Sequence, residues 1–172
     1  DVVARPEGCP RTVKELRSLP GIGPYTAAAV ASLAFDEAAP VLDGNTMRVG
    51  ARVLMMEKDP RSAAGRRPLE VWITALMEGE GPGVVNEALM ELGATVCTPI
   101  QPDCHCCPFS GVCRARKSGH QEDYPPPRRR SLRRRADGAA GEIGAEPFLR
   151  QRRERAVARH LEDRLLHGAG EI

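Results

Sequence analysis

Apolar residues recur at helical spacing near the start of the chain and predict a short amphipathic helix. Val13, Leu16 and Leu19 lie three residues apart, which places them on one face of a helix. Thr12 is followed three residues later by Glu15, and this spacing is the capping-box signature of a helix start. The pattern therefore predicts a helix that begins after Thr12 and ends near Leu19.

A glycine-rich turn, Leu-Pro-Gly-Ile-Gly-Pro-Tyr at residues 19–25, follows this helix. Gly21 and Gly23 are able to adopt the positive φ that a sharp reversal needs. Pro24 suits the first turn of a second helix, which we predict to end near Phe35. Such a turn leaves backbone N–H groups at a helix N-terminus, where a phosphate binds without lysine or arginine. An ordinary helical hairpin is the alternative, and the turn alone does not decide between them.

Helical spacing continues downstream, and no segment has the alternating pattern of a strand. Asn45 or Thr46 is the predicted N-cap of a third helix, which ends near Met56. The remaining predictions are a polar loop over residues 59–67, helices over 69–78 and 86–96, and a break over 79–83. We therefore expect an all-α fold.

Length and charge limit the size of the core and the way in which the chain can bind DNA. A chain of 172 residues with 3% aromatic residues fits one moderate core of aliphatic helices and an appendage. Residues 1–113 carry ten Lys and Arg against fourteen Asp and Glu, whereas residues 114–172 carry fifteen against nine. If the first part binds DNA, it depends on local dipoles and a few side chains rather than on a strong positive field. Since the chain has no signal peptide and no apolar run of eighteen residues, we expect an intracellular protein without a membrane span.

Four of the six cysteines are clustered as Cys97-x6-Cys104-x2-Cys107-x5-Cys113. In an intracellular protein this clustering favours metal ligation over disulfide bonds. The spacing by itself leaves both an iron–sulfur cluster and a zinc ion open. Cys106 is an additional thiol in the same loop, and we interpret it as a bystander. The alternatives are that it substitutes for Cys107 or that it makes the site sensitive to oxidation.

The composition changes after residue 113. Tyr-Pro-Pro-Pro at residues 124–127 is predicted to end the compact structure, and six arginines lie between residues 128 and 135. Such a run is typical of a solvated, disordered segment, although a final helix over 148–166 is compatible with the spacing of leucines there. We predict a helical domain over residues 1–96, a cysteine loop over 97–113 and a basic tail over 114–172.

Taken together, these motifs resemble the adenine-DNA glycosylases of the MutY type, within the helix-hairpin-helix superfamily that also contains endonuclease III. The resemblance covers residues 1 to about 127. Its elements are the turn at 19–23, Leu-Asp-Gly-Asn at 42–45 with Arg48-Val49, Asn-Glu-Ala-Leu-Met-Glu-Leu-Gly-Ala at 86–94, and the cysteine spacing. It implies part of a helix-hairpin-helix glycosylase fold with a [4Fe–4S] cluster loop, zinc being the alternative metal, followed by a largely disordered basic tail.

The resemblance implies that Asp43 is catalytic and that Asn45 positions the reacting groups. Cleavage of an N-glycosidic bond builds positive charge on the sugar, and a nearby carboxylate stabilises it. From the residues alone, a helix cap is the alternative role of Asp43, and an N-cap is the alternative role of Asn45, which is compatible with its positioning role. The implied DNA contacts are Leu19, Gly21, Ile22, Gly23, Tyr25 and Arg48, and the implied cluster ligands are Cys97, Cys104, Cys107 and Cys113. For Arg48, an ion pair on the helix surface is the alternative.

Tyr25 stands where superfamily members that also cut the strand have a lysine, so the resemblance implies a monofunctional glycosylase. A plain core aromatic is the alternative role of Tyr25. The family's glutamate in a Gln-Gln-Thr context, which protonates the leaving adenine, has no counterpart at Glu7, Glu15 or Glu37. A C-terminal Nudix-like domain is also not recognisable. We therefore expect a fragment with weak or no activity by itself.

The implied function is base-excision DNA repair, in which a hydrolase releases adenine mispaired with guanine or 8-oxoguanine. The expected partner is double-stranded DNA containing such a mispair, bound by a monomer. The expected location is the cytoplasm of a bacterium, or the nucleus or mitochondrion of a eukaryote. The alternatives are a non-catalytic DNA-binding module, an endonuclease III-like glycosylase/AP lyase and a zinc-stapled structural domain.

Overall fold

The structure is a computed structural model that describes residues 8–126. In this range the helices are α1 (Val13–Leu16), α2 (Pro24–Phe35), α3 (Gly44–Leu54), α4 (Ala63–Met77), α5 (Pro82–Thr95) and α6 (Arg114–Ser118), with a 3-10 helix over Gln121–Asp123. The described part of the chain contains no strand, so the predicted all-α class is confirmed. Glu7, the arginine run after residue 127 and the possible helix over 148–166 lie outside the described residues.

The helical hairpin at the start of the chain is confirmed, although α1 is shorter than predicted. Thr12 and Glu15 form the expected capping box, because each side chain accepts a hydrogen bond from the backbone N–H of the other. The helix ends at Leu16, and turns that include a bond from Leu19 N–H to the carbonyl of Leu16 continue the chain. Helix α2 has the predicted bounds and ends at Asp36 in the left-handed conformation.

Helices α1 and α2 pack through a small core of their own. Leu16 contacts the buried alanines Ala27 and Ala31, with the partly buried Leu19 and Ile22 beside them. Because alanine side chains are small, the two helices lie close together. A short connection is therefore needed, and the glycine turn reverses the chain within a few residues.

The main core surrounds α3, which packs against α4, α5 and α6. Gly50 in α3 is needed there because a Cβ at this position would overlap the side chain of Leu69 and touch Trp72. Trp72 in turn lies against Phe109, with ring centroids 5.7 Å apart. The core is otherwise largely aliphatic, as the low aromatic fraction predicted.

Helix α4 begins six residues earlier than predicted, so the predicted loop over 59–67 is wrong from residue 63 onward. The hydroxyl of Ser62 accepts a hydrogen bond from Gly65 N–H at 3.1 Å and thereby caps the helix. Gly65 packs on the carbonyl of Asp59, and a Cβ there would overlap it. The cap and this close packing start the helix in a polar stretch, and the helix continues through Pro68.

Helix α5 also begins earlier than predicted, at Pro82, so Pro82 and Gly83 do not belong to the predicted break over residues 79–83. Pro82 occupies the first helical position, where its missing N–H costs nothing. Gly83 contacts α2 closely, since a Cβ would lie 2.8 Å from the carbonyl oxygen of Ser32. At its other end α5 leads directly into Cys97, as predicted.

Helix α6, which follows Cys113, packs onto the helical body. Ala115 of α6 is fully buried, and α6 lies against α3. The boundary predicted after residue 113 is untested and stays a prediction. Among the described helices, none combines the length and the apolar character that crossing a membrane requires.

Candidate nucleic-acid interface and cysteine cavity

The glycine turn presents backbone N–H groups at the start of α2. Gly21 has a φ of 83°, which favours glycine, and Gly23 is the N-cap without a side-chain hydrogen bond. Within the described residues, the N–H groups of Gly21, Gly23, Tyr25 and Thr26 have no protein acceptor. The turn therefore exposes four N–H groups at the positive end of a helix dipole.

The side chain of Tyr25 is 49% exposed at the first turn of α2. The alternative of a core aromatic is therefore wrong. With no lysine at this position, the turn offers an aromatic surface and a phenol next to the exposed N–H groups.

Asp43 is the N-cap of α3, which corrects the predicted cap at Asn45 or Thr46. Asp43 Oδ1 accepts a hydrogen bond from Thr46 N–H at 2.7 Å, and Asp43 N–H donates to Thr46 Oγ1 at 2.9 Å. Asn45 Nδ2 lies 3.3 Å from the other carboxylate oxygen, Oδ2. Capping at Oδ1 fixes the orientation of a half-buried carboxylate and leaves Oδ2 with one long hydrogen bond.

Arg48 connects the start of α3 with the end of α5. Its guanidinium donates to Asn45 Oδ1 and to the carbonyl of Gly93, both at 2.8 Å, and to the carbonyls of Cys97 at 2.8 Å and Gly44 at 3.3 Å. Burial lowers the pKa of Arg48. The structure uses this side chain to connect protein segments, and the DNA contact predicted for it stays a prediction.

The end of α5 can approach Asn45 only because residue 93 is glycine. A Cβ at Gly93 would lie 2.5 Å from Asn45 Cβ and 2.9 Å from its Cα. Gly93, Asn45 and Arg48 therefore form one close-packed junction between Asp43 and the first cysteine of the loop.

The four clustered cysteines line one cavity. Cys97, Cys104, Cys107 and Cys113 surround it together with Arg52, Phe109 and Arg116. All four cysteines are free thiols. Burial raises the pKa of the Cys104 and Cys113 thiols, and it raises the pKa of Cys107 to about 12.

A bound cation would offset this cost of ionising the thiols, because thiolate ligation releases their protons. Within the described residues, no group of three or more His, Cys, Asp or Glu side chains has a ready-made coordination arrangement. The four thiols share a cavity and a chemistry that fits a metal centre.

Arg52 is the largest fully buried side chain, with 2% exposure. It donates to the carbonyls of Tyr124, Thr98 and Pro99 at 3.1, 2.6 and 2.9 Å. It also lies 3.3 Å from the carbonyl and the thiol of Cys97. Arg52 thus holds the entry of the cysteine loop and the segment after α6 in one place, with a positive charge beside the first thiol.

Cys106 is exposed and does not line the cavity, whereas Cys107 does. A hydrogen bond between Cys106 and Asp103 raises the pKa of the thiol and lowers the pKa of the carboxyl. This placement favours the bystander interpretation of Cys106.

Sequence reasoning missed the roles of Arg52 and Asn86. Arg52 lies between the buried Val49 and Val53 on the inner face of α3, and a charged residue in an apolar stripe was the available signal. Asn86 was recognised only as part of a motif. It is fully buried and connects three segments through hydrogen bonds.

The comparisons with known proteins agree with this geometry. A model of the helix-hairpin-helix motif matches residues 9–33, which contain α1, the turn and most of α2. The motif match and the observed hairpin together show that this part of the chain is a helix-hairpin-helix motif.

More specifically, the chain is similar to adenine DNA glycosylases. It is 46% identical to the one from Arabidopsis thaliana and 47% identical to the one from Homo sapiens, each over 114 residues. It is 44% identical to the one from Mycolicibacterium smegmatis over 110 residues. These matches cover 66%, 66% and 64% of this chain, but only 18%, 21% and 36% of the respective relatives. The resemblance to the MutY type is confirmed for about two thirds of the chain, which spans at most two fifths of these relatives.

Proposed function

We propose that this chain is the hairpin and cysteine-loop portion of an adenine-DNA glycosylase of base-excision repair. Its substrate would be duplex DNA with adenine opposite guanine or 8-oxoguanine, bound by a monomer. The observation that carries the proposal is the orientation of Asp43 by a cap in a chain 46% identical to such an enzyme over 114 residues. Hydrolysis of the N-glycosidic bond without strand cleavage is the proposed reaction.

The turn would bind a DNA phosphate through its main chain. The N–H groups of Gly21, Gly23, Tyr25 and Thr26 have no acceptor in the described part of the chain, and the α2 dipole favours an anion at this end. Leu19 and Ile22 support the turn from the hairpin core. Because this grip depends on position rather than on basic side chains, it suits a segment with more acidic than basic residues.

Asp43 would then stabilise the positive charge that develops on the deoxyribose. Oδ1 is held by Thr46, so the side chain loses little freedom when DNA binds, and Oδ2 is the oxygen available to the sugar. Asn45 would keep that oxygen oriented, since Arg48 holds the Asn45 carbonyl. Capping and catalysis are thus roles of two different oxygens of one carboxylate.

The four cavity cysteines, Cys97, Cys104, Cys107 and Cys113, would hold a [4Fe–4S] cluster, with zinc as the competing metal. Similarity to the glycosylases favours the cluster, and Arg52 supplies a buried positive charge beside Cys97. When bound, the group would cross-link the loop to the C-terminal end of α5. Iron–sulfur ligation predicts a brown protein with broad visible absorption, whereas zinc ligation predicts a colourless one.

Protonation of the leaving adenine has no evident donor among the described glutamates near the hairpin. Glu15 accepts hydrogen bonds from the N–H groups of Arg11 and Thr12, and Glu37 accepts one from Val13 N–H at 2.7 Å. Both carboxylates therefore stabilise the start of α1. We accordingly expect slow adenine release, or none, from this chain by itself.

Replacement of Asp43 by Asn tests the proposal, because the amide oxygen can still cap α3 while the charge is lost. Excess protein is incubated with A·8-oxoguanine duplexes, and adenine release and duplex binding are followed. We expect residual release to disappear and binding to persist. Asp36→Asn is the matched control, since Asp36 is an exposed helix C-cap in the left-handed conformation that Asn tolerates. Measurable release at the same rate by the Asp43 variant and the original chain would refute the catalytic role.

A non-catalytic DNA-binding module is the second candidate, because the observed cap already accounts for Asp43. It predicts duplex binding with no release by any variant. An endonuclease III-like lyase is a further alternative, for which borohydride would trap a covalent protein–DNA adduct. With Tyr25 in the turn we expect no such adduct.

A further inference from the structure

We propose that Asn86 is a positioning residue that fixes the carboxylate of Asp43 relative to the hairpin turn. The inference rests on the proposed function for its catalytic consequence. The positional claim itself is independent of catalysis, and it follows from a chain of hydrogen bonds between α5, the loop over 36–43 and α3.

Asn86 lies in α5 with a side chain that is fully buried and hydrogen-bonded on both ends. Its Oδ1 accepts from Val41 N–H at 3.0 Å. Its Nδ2 donates to the carbonyl of Ala39 and to Ser32 Oγ, both at 2.9 Å. A buried amide in this arrangement strongly specifies the position of its partners, because each bond that is lost leaves an unsatisfied polar group.

The two bonds to the loop imitate the pairing of a β-bridge. The Asn86 amide group engages the carbonyl of Ala39 and the N–H of Val41, on either side of Pro40, which has no N–H. A loop residue between these two bonds cannot rotate freely without breaking one of them. The amide therefore fixes the backbone that leads into Asp43, in a segment where the described residues form no sheet.

From Val41 the restraint passes to Asp43 through Thr46. The carbonyl of Val41 accepts from Thr46 Oγ1 at 2.8 Å, and the same hydroxyl oxygen accepts from Asp43 N–H at 2.9 Å. Thr46 N–H in turn donates to Asp43 Oδ1 at 2.7 Å. Thr46 and Val41 are fully buried, so water does not replace these bonds. The carboxylate is thus three contacts away from Asn86.

The bond to Ser32 extends the arrangement to the hairpin. Ser32 is a buried residue of α2, the helix whose N-terminus is the glycine turn. Gly83, one turn before Asn86 in α5, allows the close contact with the backbone of Ser32. One side chain therefore connects the helix that begins at the proposed phosphate site with the loop that carries the proposed catalytic carboxylate. Asn86 would thereby set the distance between the phosphate bound at the glycine turn and the sugar next to Asp43.

The test compares Asn86→Leu with Ser32→Ala. Leucine has a similar size and favours the helix, but it leaves Val41 N–H and the Ala39 carbonyl without their partner. The Ser32 variant removes one bond of the same amide and keeps both bonds to the loop, so it is the matched control. Asn86→Ala is a second variant, which removes the same three hydrogen bonds with a smaller side chain that also favours the helix.

Amide hydrogen exchange of the full chain gives the decisive readout, because it reports local opening separately from global stability. We expect the amides of Val41 and Thr46 to exchange about tenfold faster in Asn86→Leu, after correction for the change seen at amides of α4. The Ser32 variant should leave them within about twofold of the original protein. Acceleration that is uniform across α4 and the loop, or equal in the two variants, would overturn the proposal. If Asn86→Leu fails to fold, the same criterion applies to Asn86→Ala.

Adenine release under single-turnover conditions separates the positional inference from the proposed function. We expect Asn86→Leu to lower the release rate without weakening duplex binding. A locally opened loop with an unchanged release rate would overturn the catalytic consequence. If the original chain releases no adenine while the exchange result holds, the positional inference stands without its catalytic consequence.

Discussion

Replacement of Arg52 by Met should destabilise the protein more than the same replacement of an exposed arginine. Methionine fills a similar volume without the charge, so the change removes hydrogen bonds rather than packing. The carbonyls of Tyr124, Thr98 and Pro99 lose their donor, whereas the carbonyl of Cys97 keeps the bond from Arg48. Three unsatisfied carbonyls, partly relieved by water and by removal of a buried charge, correspond to about 2–4 kcal/mol.

The assay is thermal unfolding together with the iron content of the purified protein. A loss of about 3 kcal/mol lowers the melting temperature by roughly 10 °C in a body of this size. Arg61→Met is the control, because Arg61 pairs with Asp59 at 2.6 Å with side chains 38% and 30% exposed, and such pairs contribute below about 1 kcal/mol. We also expect less iron in the Arg52 variant, since the Cys97–Pro99 segment is released. Equal melting temperatures for the two variants would refute the reasoning.

Three further predictions concern other parts of the structure. Gly93→Ala should lower the free energy of unfolding by about 1–3 kcal/mol in a denaturant titration, because the added Cβ overlaps the first turn of α3. Gly111→Ala is the control and should be neutral, since the space around its Cβ is open. Equal denaturation midpoints for the two variants would contradict the close packing. Thr12→Ala should cost about 1 kcal/mol in the same assay, since the capping box is lost, and an unchanged midpoint would show that the cap contributes nothing. Cys106→Ser should retain the visible absorption of an iron–sulfur protein and Cys107→Ser should lose it, and the reverse result would exchange their roles.

Features encoded by neighbouring residues were predictable from the sequence. The capping box of α1 needs two side chains three residues apart, and the bounds of α2 follow from a proline start and an apolar run. The delivery of Cys97 by α5 was predictable for the same reason. The spacing of the four cysteines likewise marked a common site, and they line one cavity. Local periodicity and short-range hydrogen bonds carry this information.

The starts of α4 and α5 were harder to predict, because α4 begins through a cap and a close contact in a polar stretch, and α5 begins through a contact with the distant helix α2. These segments contain the glycines and prolines that are typical of loops. Nevertheless, Gly65 packs on the Asp59 carbonyl and Gly83 packs on α2. At Gly83, only the tertiary contact with α2 turns a residue with low helix propensity into a favourable one. The cap of α3 was placed two or three residues late, since Asp43, Asn45 and Thr46 all suit a cap.

The helical class, the hairpin and the residues capable of chemistry were all predictable from the order of the amino acids. How those residues are used depends on the packing of the helices: Asp43 has one oxygen in a cap, Arg48 spans two helices, and Arg52 is buried against carbonyls far along the chain. Hydrogen-bond partners separated by 45 or more residues leave no periodic trace, because either partner alone is an ordinary polar residue. The site is defined by distances, and these exist only once the helices have packed.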